Sequence, residues 1–228
     1  MTKSFADSRL LGSGCIYCGL VADTRDHVPS KVFLDRPYPL NLRTVDACHG
    51  CNQGFSLDEE YFATILGCTL AGTANPSDQI RPKTADTLAH NTKLRERIQK
   101  SREESTESIT FEVDASRVRN VLIKLARGHV ALELSVAGFG EPDSVGFQPR
   151  LYMAEEQLLH FETPPLEQLY CEVGTEAFIR QIERGVGVGW NVVQEGRYRF
   201  LSYEERGGFF VRVVFCEYLF GEVIWENP

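Results

Sequence analysis

Three hydrophobic patterns follow one another along the 228 residues. Residues 13–55 hold only short apolar stretches broken by Gly, Pro and Cys, too irregular to close a core without help. From Ser56 onward, Leu57, Tyr61, Ile65 and Cys68 return at helical spacing, which predicts a helix over 57–70. Ser56 and Glu59 read as a capping box at its start, and Gly72 with Asn75-Pro76 ends it. Residues 83–104 carry a thin stripe, Leu88, Leu94 and Ile98, on a Lys- and Arg-rich segment read as a second helix. Ile109–Val113 alternates like a short strand. Ser116–Val136 has the strongest helical pattern. Val118, Val121, Leu122, Leu125 and His129 line one side of it, and Arg117, Lys124 and Arg127 fall elsewhere.

After Pro142 the pattern turns to β. Phe147–Met153, Val188–Val193, Tyr198–Tyr203, Phe209–Phe215 and Tyr218–Trp225 are rich in β-branched and aromatic residues. Gly207-Gly208 and Cys216-Glu217 read as turns, and 175–184 as a short helix. Trp190, Tyr198, Phe200, Phe209, Phe210 and Trp225 read as core. The expected fold is α+β, divided into a small N-terminal module at 13–72, a helical region at 80–137 and a mainly antiparallel β domain at 142–228.

Composition changes this picture little. With 43% hydrophobic and 25% charged residues, the chain is of ordinary globular type. No apolar run approaches the ~18 residues of a membrane span, and the first residues lack the apolar region of a signal peptide. A soluble, cytoplasmic protein without membrane partners is expected. Charge changes it more. The net value of −8 argues against indiscriminate binding of polyanions. It is unevenly spread, with 7 basic and 16 acidic residues over 131–228 against 11 basic and 7 acidic over 80–130, so local contact with phosphates stays open.

Four of the seven cysteines form two pairs, Cys15/Cys18 and Cys48/Cys51, in the pattern C-x2-C-x29-C-x2-C. Each turn can offer two thiolates to one tetrahedral ion, and two turns make a closed structural Zn2+ site. A redox CxxC would instead begin a helix in a βαβ unit, and this region shows no such unit. Cys68, Cys171 and Cys216 lie in apolar contexts and read as buried small residues.

Between the pairs stands TRDHVPSK, with Asp26-His27, and Asn52 follows the last cysteine. Together, CIYCG, RDHVPSKVF, NL and CHGCNQGFSLDEE resemble the HNH endonucleases of the ββα-metal, or His-Me finger, class, and within it the subset with zinc knuckles. The resemblance covers residues 13–62. It implies a zinc-stapled ββα-metal module in which His27 is the general base that takes a proton from water. It implies that Asp26 and Asn52 hold a catalytic Mg2+ or Mn2+ with positions left for phosphate and water. Asn41 would orient the base through hydrogen bonds, but it lies eleven residues before Asn52, two more than the family spacing. His49 reads as a solvated knuckle residue.

Blander readings stand beside these. Asp26-His27 alone is an exposed pair before Pro29, and Asn52 a turn or cap residue. Asp58, Glu59 and Glu60 suit the first turn of a helix. The cations of 81–102 and 117–127 are solvated helix faces or a DNA-contacting surface. His90, His129 and His160 read as structural. The expected function is metal-dependent hydrolysis of DNA phosphodiesters, in a setting such as restriction, phage defence or mobile elements. The alternatives are a non-catalytic zinc-knuckle module binding nucleic acid or protein, and a nuclease acting on RNA. The C-terminal part leaves room for a protein partner or a homo-oligomer.

Overall fold

The computed structural model describes residues 14–106, 108–137, 140–164 and 189–226. The expected helix at 175–184, Val188 and Cys171 lie outside them. The fold is α+β, with antiparallel sheets throughout the described residues. It divides into two units, one of residues 1–54 with 122–228 and one of 55–121. One boundary falls inside the segment read as 13–72 and the other inside that read as 80–137, within one long helix, while 142–228 lies wholly in the first unit. Among the described residues no helix is long and apolar enough to cross a membrane.

The first unit opens with the hairpin of β1 (Thr24–Val28) and β2 (Arg43–Ala47), followed by the short helix α1 (His49–Gly54). The second unit begins with α2 (Ser56–Ala71). The expected capping box does not form there. Phe55, already helical in its backbone, holds the cap position, so Ser56 falls inside the first turn. Leu57 is exposed, while Tyr61, Ile65 and Cys68 are buried. The helix expected over 83–104 is two helices and a strand, α3 (Pro82–His90), α4 (Thr92–Lys100) and β3 (Arg102–Glu104). Asn91 breaks the helix and caps the next one, its side chain accepting from the Leu94 N–H at 3.1 Å. The break lets Leu88 and Leu94, six positions apart, enter the same core as Ile98, Tyr61 and Ile65. In one continuous helix they would point to different faces. β4 (Ile109–Phe111) pairs with β3.

Helix α5 (Ala115–Leu134) starts in the second unit and ends in the first. Next come β5 (Ser144–Pro149), α6 (Glu155–Glu162), β6 (Asn191–Gln194), β7 (Tyr198–Glu205), β8 (Gly208–Phe215) and β9 (Leu219–Trp225). The sheet order is β5-β9-β8-β7-β6. The strand expected over Phe147–Met153 ends at Pro149 and gives way to a 3-10 turn at Arg150–Tyr152. A proline cannot donate to a ladder, and β5 is an edge strand where that is tolerated. The hairpin turns need positive φ at two positions. Arg206-Gly207 and Cys216-Glu217 supply it, so Gly208 belongs to the strand and Cys216 to a turn, not a core.

The strand register separates two faces of this sheet. On one, His129 of α5 lies 3.7 Å, ring to ring, from Phe200 and 2.7 Å from the Tyr198 hydroxyl. A Cβ on Gly221 would meet Leu122 at 2.9 Å, so the glycine admits α5. On the other face Phe161 of α6 packs with Val214 and Phe220, and Arg199 grips Glu162 through two bonds of 2.7 and 2.8 Å. With both faces covered, β8 reads as a nearly continuous apolar run.

Candidate metal centre and adjoining site

The first cysteine pair sits in a tight loop. Cys15 N–H donates to Leu20 O at 2.6 Å, and Gly19 N–H to Cys15 O at 2.8 Å. Gly14 has φ of +80°, and a Cβ there would lie 2.6 Å from Leu20 O. The loop hangs on the hairpin through Ile16 N–H to Asp46 O at 3.1 Å. The second pair flanks the start of α1. Asp23 caps that helix by accepting from His49 N–H at 2.6 Å, and Cys51 N–H points at Cys48 Sγ at 3.4 Å.

The four sulfurs of Cys15, Cys18, Cys48 and Cys51 lie within 4.8 Å of one another, and Cys18 Sγ is 3.7 Å from Cys48 Sγ. A tetrahedral ion with metal–sulfur bonds of ~2.3 Å needs sulfur–sulfur edges of about 3.8 Å. The donor set therefore fits one metal ion such as zinc. Burial opposes ionisation of Cys15, but backbone N–H groups of Cys48, Tyr17 and Cys18 bring its thiol down to about 7. Burial first, then hydrogen bonds shared with the other three cysteines, push Cys51 up. One thiolate comes easily and the next is resisted, a conflict that a bound cation removes.

The hairpin register sets the faces of β1. Asp26 and Val28 share the inner face with Val45, while Arg25 and His27 share the outer one with Asp46 and Thr44. On the inner face Val28 and Val45 pack with Ile16 and Ala131. Asp26 is only 7% exposed. Its Oδ2 lies 2.7 Å from Lys124 Nζ and accepts from the Tyr17 hydroxyl at 2.8 Å. Lys124, 2% exposed, also donates to Ser30 Oγ at 2.5 Å. Lys124 thus faces inward and is not a surface decoration of α5. Its sequence signal is its place between Val121, Gly128 and Ala131 at helical spacing, a stripe of apolar and small residues.

His27 is half-buried on the outer face. Burial, then the charge of Lys31, lower its pKa against the opposing pull of Asp26, so the imidazole is neutral at neutral pH. Asn52 donates from Nδ2 to Thr24 Oγ1 at 3.2 Å and to Arg25 O at 3.3 Å, which ties α1 to β1 and leaves Oδ1 as the atom a cation would take. Asn41 is exposed in the turn before β2, and among the described residues no hydrogen bond joins it to His27. His49 is exposed.

Asp26 and Asn52 as arranged do not fit one divalent ion with open positions. Such an ion needs carboxylate oxygens facing water and phosphate, and the Asp26 carboxylate faces inward onto an ammonium. The cations expected on a DNA-facing side of α5 are likewise engaged. Arg117 holds Asp58 at 2.6 Å, and Arg127 holds Gly140 O and Glu141 at 2.9 and 3.3 Å. No family model, curated protein or solved structure matches this chain.

Proposed function

We propose that residues 14–54 are a zinc-stapled HNH-type nuclease module of the ββα-metal class, acting on nucleic acid and on DNA in the first place. The order of hairpin, helix and two cysteine turns supports this reading. The observation that carries it is His27: a half-buried imidazole on the outer face of the hairpin, with no hydrogen bond to its ring among the described residues, on the strand that Asn52 ties to the second cysteine pair. Hydrolysis of a phosphodiester needs a water deprotonated as it attacks and positive charge near the phosphate. One ring nitrogen of His27 takes the proton as the water oxygen bonds to phosphorus and the bond from phosphorus to the 3′ oxygen breaks, that oxygen leaving with a proton from solvent. Lys31 supplies charge near His27, while Arg25 on the same face is paired with Asp46 at 3.4 Å. Zinc on the four cysteines fixes the first loop and α1 against β1 and β2 and takes no part in the chemistry. While Lys124 holds Asp26, proton transfer by His27 is the step these residues can supply.

The test is nicking of supercoiled DNA with Mg2+, with Mn2+ and with neither, wild type beside His27→Ala, and structured RNA in parallel. Nicking by wild type that His27→Ala abolishes supports the reading. Equal nicking by both, or none under any condition, overturns it. The parallel arm separates a DNA enzyme from an RNA enzyme. One observation favours a second reading, a zinc-knuckle module that binds without cutting: the Lys124–Asp26 pair occupies the carboxylate that a metal-dependent nuclease would keep open.

A further inference from the structure

The segment joining β1 to β2, residues 29–42, is long for a hairpin, yet it is firmly held. Phe33 and Leu34 are 2% and 1% exposed. The Phe33 ring meets Phe215 edge-on, with centroids 5.0 Å apart. The Gln194 side chain brackets Asp35, its Oε1 accepting from the Asp35 N–H at 2.8 Å and its Nε2 donating to the Asp35 carbonyl at 3.0 Å. Asp35 is the only acid in this segment, and its carboxylate lies 2.9 Å from Arg197. The exposed side chains include Pro37, Leu40 and Asn41 and two cations. Lys31 and Arg36 are exposed, and both gather on the half-buried ring of Tyr38, Nζ of Lys31 at 5.5 Å and Cζ of Arg36 at 5.8 Å from its centroid.

We propose that this pinned loop, through Lys31, Arg36 and Tyr38, is the surface that grips the phosphodiester backbone of the nucleic acid. The choice of polymer rests on the nuclease reading, whereas the surface rests on the loop. A chain of net charge −8 repels a polyanion at long range, so contact requires a place where acids are withdrawn and cations fixed. Here the one acid, its side chain 41% exposed, is paired with Arg197, while the two cations are exposed and share the Tyr38 ring. Anchoring at Phe33, Leu34 and Asp35 orders the loop before binding, which lowers the entropic cost of the contact. The cations follow His27 by four and nine residues in the chain.

Binding is measured by fluorescence anisotropy on a labelled DNA duplex and a labelled RNA hairpin over a range of salt. The full chain carries His27→Ala so that neither probe is cut. Each phosphate contact contributes about 0.9 to the slope of log K against log salt on duplex DNA. Lys31→Gln and Arg36→Gln are each expected to flatten the slope by about 0.9, and the double variant by about 1.8. Their zinc content and melting should match the parent, since both side chains are exposed. Slopes unchanged in the double variant, or no salt-dependent binding of either probe, overturn the proposal. The two readings fail separately. Loop-dependent binding without nicking by wild type keeps the surface and removes the nuclease. Nicking with slopes indifferent to the loop removes the surface and keeps the nuclease.

Discussion

At the scale of the residue, Asp26 and His27 are neighbours with opposite fates. Alternation along β1 sends one carboxylate inward to Lys124 and one imidazole outward. For His27 the folded pKa lies below the unfolded value of about 6.5. Its contribution to stability is therefore complete above about pH 6.5 and is lost as pH falls through the folded value. The imidazole resonance should titrate with a midpoint below about 6.5, and any His27-dependent nicking should keep its rate down to the same midpoint. A midpoint at or above the ordinary value would refute the desolvated environment. For the buried pair, Lys124→Met leaves Asp26 charged and unpaired, which should cost about 3–5 kcal/mol in denaturant unfolding. Lys124→Met with Asp26→Asn should recover most of that loss. If the single and double variants unfold alike, the pair is not coupled. The sequence made the Asp26-His27 dipeptide visible, but it did not disclose the ammonium, because Lys124 follows Asp26 by 98 positions and looks like any helical lysine.

At the scale of the element, one close approach and one break decide the arrangement. A Cβ on Gly128 would come within 2.7 Å of Val28 Cγ2, so α5 lies against β1 only because that position has no side chain. Gly128→Ala should cost about 1–3 kcal/mol through overpacking and, where the hairpin yields, should lengthen the contact between Lys124 and Asp26. Melting together with the His27 titration would register both effects, and wild-type values for both would contradict the close packing. Asn91 ends one helix and caps the next, and Asn91→Ala should cost about 1 kcal/mol, read from chemical unfolding. Strands β7, β8 and β9 and helices α2 and α5 were legible from their periodicity to within a few residues. The break at Asn91 was not, because an asparagine in a polar run is tolerated in a helix until the core on either side selects the register.

At the scale of the whole molecule, the four-cysteine cluster joins segments thirty residues apart in a region with little core of its own. One tightly held metal equivalent is expected by elemental analysis. Chelation should expose the backbone amides of residues 14–54 to hydrogen exchange while those of the α2–α4 core, which owes nothing to the cluster, stay protected. A Cys15→Ser variant that retains full metal and unchanged exchange would dismiss the assignment. What the sequence determined by itself is what local spacing encodes: two cysteine turns with the reach for one ion, the period of the strands and long helices, and an acidic C-terminal half. Tertiary structure alone decided that Asp26 faces a buried lysine, that α5 serves both units, and that the segment after His27 is an anchored loop with its cations outward. These depend on partners far away in the chain, Lys124, Gln194, Arg197 and Phe215, and periodicity carries no record of which distant residue will meet a given side chain.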